Sequence, residues 1–126
     1  MPLINFNYME GHPILSPAYQ LADGDKTFLA EIFDSMLSAI PENITEIEKS
    51  MANKQVEQVC RHAHHMKSSV MYTNAEELKE LLSEIEGKRK DPEALVAIKA
   101  LLPKVKELAE QVAAIINSEK SKFIAE

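Results

Sequence analysis

From Asp25 to Asn117 the apolar residues recur every three or four positions, with polar and charged residues between them. This is the period of a helix with one buried face. Leu29, Ile32, Phe33, Met36, Leu37, Ile40, Ile44, Ile47 and Met51 trace a first long stripe. Pro41 falls within it, which predicts either a kink or a break into two helices. After a turn at Asn53-Lys54, Val56, Val59, Ala63, Met66 and Val70 make a second stripe, expected to stop near Asn74. Asn74 and Glu77 have capping-box spacing, and Asn also tolerates a left-handed helix end, so a third helix follows, with Leu78, Leu81, Leu82 and Ile85 inward. Gly87 and Lys88-Arg89-Lys90 close it. Asp91-Pro92 has the form of a cap followed by proline, and starts a last helix carrying Leu95, Ile98, Leu102, Val105, Leu108, Val112 and Ile116 to about Asn117, bent at Pro103.

Ahead of these, Ser16-Pro17 repeats the cap-plus-proline start, so a short helix runs to about Ala22 and ends at Asp23-Gly24-Asp25. Residues 1–15 show no period and read as an irregular arm, packed down by Leu3, Ile4, Phe6 and Ile14. The predicted organisation is an arm at 1–15, a bundle at 16–119 and a frayed tail at 120–126. The fold class is all-α. Amphipathic helices joined by short turns bury their stripes by alternating direction, which predicts an antiparallel up-down four-helix bundle with a short additional N-terminal helix.

Composition narrows the function classes. The chain has 126 residues, enough for one core, and a formal charge of −6 with the signs interspersed, so phosphate-rich nucleic acid would be repelled. The basic run at 88–90 reads as cations at a helix C-terminus. Cys60 is the single cysteine, which excludes an internal disulfide and fits a reducing cytoplasm. No basic-then-apolar leader and no membrane-length apolar run is present. The expectation is a soluble cytoplasmic monomer.

The unusual chemistry lies on the second long stripe, in Val59-Cys60-Arg61-His62-Ala63-His64-His65-Met66-Lys67-Ser68-Ser69. At about 100° per residue, Lys67 and Ser68 share the face of His64, flanked by Cys60, Arg61 and Met71. An exposed imidazole, with an ordinary pKa of about 6.5, is largely neutral near pH 7 and is a nucleophile towards an activated phosphoryl group. Lys67 supplies a cation for the incoming charge, and Ser68 is a small residue that leaves room beside the ring. The sequence places no acidic residue beside His64 to orient it, and no Gly-rich loop to hold a nucleotide. A metal site is the rival reading: His62 and His64 point to nearly opposite sides of a helix and cannot share an ion, whereas His62 and His65 could, but neither Glu-x-x-His nor His-Glu-x-x-His occurs. An inert helical scaffold is the other alternative. His62 and His65 read as partly buried or solvated, and Cys60 as a half-buried thiol or a small contact residue.

Ala63-His64-His65-Met66-Lys67-Ser68-Ser69 resembles the A-H-x-[LM]-K-[GS]-[SA] signature of histidine-containing phosphotransfer (HPt) domains. The likeness extends over roughly residues 14 to 117, through Asn74, Ala75, Leu78, Leu81 and Glu86, with Ser68 and Asn74 where the family most often has glycine. It implies a carrier of phosphoryl groups between receiver-domain aspartates, without kinase activity of its own. By position, His64 is then the phosphoacceptor, Lys67 its charge partner and Ser68 the small neighbour. It further implies response-regulator receiver domains and a hybrid sensor histidine kinase as partners, with Mg²⁺ on the receiver and no cofactor on this chain. Receiver docking is expected over Leu37, Ile40, Cys60, Arg61 and Met71.

Overall fold

The computed structural model describes residues 11–125, with side chains through Lys122. Every regular element among them is helical: α1 (Ser16–Ala22), α2 (Lys26–Ala52), α3 (Val56–Ser69), α4 (Glu76–Glu86) and α5 (Ala94–Ala125), with 3₁₀ turns at Pro13–Leu15 and Val70–Tyr72. The turns follow local chemistry. Asp23 and Gly24 take positive φ after α1, and the Asp25 carboxylate accepts the Phe28 N–H to cap α2. Lys54, also at positive φ, reverses the chain between α2 and α3.

The predicted stripes face one another. α2 packs on α3 and α5, α4 packs on α3 and α5, and α1 lies on α2 and on the Val70–Tyr72 turn. Phe33, Met36 and Ile47 meet Val59, Ala63 and Met66, then Leu78, Leu82, Ile85, Ile98, Val105 and Ile116, in one buried cluster. Each large side chain removed from water there contributes about 1.5–3 kcal/mol before the entropy of ordering it. That core fixes the rotation of α3, and so decides which of its residues face outward.

α2 stays one helix through Pro41, and α5 stays one through Pro103, because both rings are exposed and displace no core side chain. The cost at Pro41 is the i−4 hydrogen bond that the Leu37 carbonyl would otherwise accept.

Three local expectations are corrected. Asn74 neither caps α4 nor adopts the left-handed conformation. Ala75 occupies the cap position, and the buried Thr73 hydroxyl accepts the Ala75 N–H while donating to Val70 O. Asn74 turns instead to the N-terminal segment, its N–H donating to Ile14 O at 2.7 Å and its Nδ2 to Pro13 O at 3.1 Å. The last helix starts at Ala94, after a turn in which Asp91 accepts the Glu93 N–H, and runs to Ala125 where fraying was expected. It continues because Glu119 is buried and tied down. Leu3, Ile4 and Phe6 lie outside the described residues.

Candidate functional site

The inward stripe of α3 sends the opposite face to solvent, and the His64 side chain is 57% exposed there. It does not stand alone. The end of α4 passes alongside, and Glu86 Oε2 lies 3.0 Å from His64 Nδ1. The other carboxylate oxygen, Oε1, lies 2.5 Å from Lys67 Nζ, a charge contact without hydrogen-bond alignment. Lys67 also donates to Ser83 Oγ at 3.2 Å. Residues 83 and 86 are three apart on α4, as 64 and 67 are on α3, so two helical rows meet along one seam.

The sequence reading found no acid to orient His64. The structure corrects this with Glu86, a residue 22 positions away along the chain. Burial pushes the Glu86 carboxyl up, but the Lys67 and His64 contacts outweigh it and hold the group below the usual carboxylate range. An ionised carboxylate can only accept, so His64 Nδ1 carries the hydrogen and donates it. In the neutral ring the lone pair is then on Nε2, which has no hydrogen-bond partner among the described residues. Sequence spacing alone gave no preference between the two nitrogens. The site thus holds an exposed nucleophilic nitrogen with a fixed tautomer and a cation one helical turn away.

The remaining expected residues divide. Ser68 is exposed on the His64 face, as is Arg61, whose guanidinium is paired with Gln58. Met71 is 59% exposed at the end of α3, and Tyr72 beside it, which sequence reasoning had not singled out, is also open to solvent. Cys60 and Ile40 cannot form a docking surface, being 0% and 3% exposed. Cys60 donates to Ile85 O, because α4 covers the side of α3 that helical rotation alone left open, and burial pushes its thiol pKa up. Ile40 belongs to the inward stripe of α2. Leu37 lines a groove between α2 and α5 with Ile44, Ala109 and Ala113, and no α3 residue joins that lining.

His62 turns towards α2, with Nε2 4.0 Å from Glu46 Oε1 and its ring edge-on to His65. Burial lowers its pKa, against the opposing pull of Glu46. Among the described residues no group of three or more His, Cys, Asp or Glu side chains is arranged to hold a metal ion.

Glu86 entered the sequence reading only as part of a family likeness, and Ser83 not at all. Both sit on the outer face of α4, and three-residue spacing beside a leucine stripe carries no signal of which helix end lies across from it.

Comparison with known proteins points to a family. Residues 31–117 match the family model of the Hpt domain. The chain is also similar to the phosphorelay intermediate protein rdeA of Dictyostelium discoideum, with 27% identity over 105 residues that cover 83% of this chain. Those residues span 41% of that relative's length. No solved structure matches the chain at a significant level.

Proposed function

Since the chain belongs to the Hpt domain family, we propose that it is a phosphorelay carrier in which His64 Nε2 takes a phosphoryl group from the aspartyl phosphate of one receiver domain and yields it to the aspartate of another. The observation that carries this reading is the exposed His64 ring held through Nδ1 by Glu86.

The chemistry follows from that contact. The Nε2 lone pair attacks phosphorus, the N–P bond forms, and the bond from phosphorus to the aspartyl oxygen breaks, returning a carboxylate to the receiver. The ring gains positive charge, which the Glu86 carboxylate offsets through the Nδ1–H hydrogen bond. Lys67 faces the extra negative charge of the bound phosphoryl group from one turn along α3. Ser68 keeps the approach to the ring narrow but open. In reverse the same groups return the phosphoryl group to an aspartate.

The energy comes from the acyl phosphate, so the carrier needs no nucleotide site and has no kinase activity of its own, and Mg²⁺ belongs to the receiver. A hybrid sensor kinase and a response regulator supply the donor and acceptor receivers. The chain works as a monomer in the cytoplasm, and no helix among the described residues is long and apolar enough to cross a membrane. The short connections at 53–55 and 87–93, joining helices that pack on each other, support an antiparallel up-down arrangement of α2 to α5.

Incubation with a phosphorylated receiver and Mg²⁺ tests the proposal. The chain becomes labelled with an acid-labile, alkali-stable phosphate, and His64→Gln removes the label at unchanged helical content. Undiminished labelling of that variant moves the acceptor to another residue. Absence of uptake from every receiver of the source organism leaves an inert scaffold.

A further inference from the structure

Near the C-terminal end of α5, Glu119 is only 3% exposed, and both oxygens of its carboxylate have partners. Oε1 accepts from Tyr19 Oη at 2.6 Å and from the His12 N–H at 3.0 Å, and Oε2 meets Lys122 Nζ at 2.6 Å. Burial pushes this carboxyl up, but those contacts prevail and hold it below the usual range. Left without partners, a buried carboxylate would cost about 3–5 kcal/mol, so these contacts are costly to break. Chain segment 11–12 is therefore fastened to α5. Gly11 fits closely, since a Cβ there would stand 2.5 Å from Tyr19 Cε2.

From His12 the chain goes directly into the Pro13–Leu15 turn, whose start the His12 ring caps by accepting the Ile14 N–H. Leu15 is sunk in the core. The carbonyls of Pro13 and Ile14 then receive both hydrogen bonds of Asn74. Asn74 ends the segment that begins with the Val70–Tyr72 turn; within it the Thr73 hydroxyl donates to Val70 O, and Lys79 of α4 donates to Thr73 O. Residues 12–14 are thus a strut with one end on Glu119 and the other on the turn that presents Met71 and Tyr72. Those two exposed apolar side chains follow His64 just beyond the end of α3. Continuing the helical rise over seven residues puts Met71 roughly 10 Å along the α3 axis from His64.

We infer that Glu119 is a positioning residue for partner docking: through the His12–Ile14 strut and Asn74 it fixes the Met71–Tyr72 turn against which a receiver domain seats beside His64. This rests on the relay reading above. Glu119 takes no part in the chemistry at the imidazole, since the strut reaches the docking turn without touching Glu86 or Lys67.

The test is steady-state transfer from a phosphorylated receiver to the full chain, alongside labelling by phosphoramidate, a small donor that needs no docking surface. Glu119→Ala raises KM for the receiver about three- to tenfold, the scale of one or two lost buried hydrogen bonds, with kcat and phosphoramidate labelling unchanged. Glu119→Gln, which keeps an acceptor for Tyr19 and His12, restores most of the KM. Asn74→Ala, at the exposed end of the strut, raises KM similarly without touching a buried carboxylate, and so serves even where Glu119→Ala fails to fold. In the double variant the effects do not multiply, because both residues act through one strut.

Unchanged KM in folded Glu119→Ala or in Asn74→Ala overturns the inference, as do multiplicative effects or a parallel fall in kcat and phosphoramidate labelling. Wild-type protein that takes no phosphate from any receiver overturns the relay reading, and this one with it.

Discussion

At His64 the decisive fact is which nitrogen is free. A surface histidine without a partner exchanges between two tautomers and many rotamers, so only part of its population faces an incoming phosphorus with a lone pair. Glu86 removes that freedom by accepting from Nδ1. Removing one charge-assisted hydrogen bond of about 1.5–3 kcal/mol predicts that Glu86→Ala slows transfer about ten- to a hundredfold, read by single-turnover transfer from a receiver. An undiminished rate would mean that the ring is oriented without it. Lys67→Ala also slows transfer while leaving the thermal midpoint nearly unchanged, because a partly exposed helix lysine adds little stability. Loss of Lys67 has a second effect at Glu86, which then keeps only the imidazole as partner. The placement of His64 and Lys67 on one outward face was legible because they lie within one helical turn, where spacing fixes geometry. Glu86 was not, because its nearness to His64 depends on how α4 crosses α3. Cys60 was misplaced for the same reason: helical rotation put it near the open face, and the neighbouring helix closed over it.

Helices were read more reliably than their ends. Periodicity found α2 to α5 because burial of a stripe is a property of many residues at once, whereas a cap rests on a single hydrogen bond. The Asn74–Glu77 pair had the right spacing for a capping box, yet the two Asn74 donors found the carbonyls of Pro13 and Ile14. The same reasoning bears on proline. Pro41 removes one backbone hydrogen bond from an otherwise continuous α2, so Pro41→Ala stabilises the protein by about 1–3 kcal/mol, measured by the urea midpoint. Destabilisation instead would show that the helix needs its proline geometry to pack Ile40 and Ile44.

α5 has its own pH signature. The Glu119 carboxyl is held below its ordinary value of 4.5, so its contribution is fully present above that value and is lost as pH falls through the lower folded one. Between about pH 6 and about pH 3 wild type therefore loses more stability than Glu119→Gln, which has no proton to take up there. Equal losses in the two proteins would contradict the assignment.

For the whole molecule, one core holds α3 and α4 in the register that puts His64, Lys67, Ser83 and Glu86 on one seam. Composition and period sufficed for the all-helical class. Docking residues required the packing: the stripe of α2 already pointed Ile40 inward, and only the packed structure shows Leu37 turned towards α5. A core substitution such as Met66→Ala, one position from His65 and fully buried, costs about 2–5 kcal/mol and tests whether the seam survives loosening of its support. The central claim concerns a single bond, and phosphorus–nitrogen correlation NMR on ¹⁵N-histidine protein phosphorylated by a receiver tests it most directly. Phosphorus coupled to Nε2 of His64 is the expected result; coupling to Nδ1, or to a nitrogen of His62 or His65, would contradict the proposed chemistry.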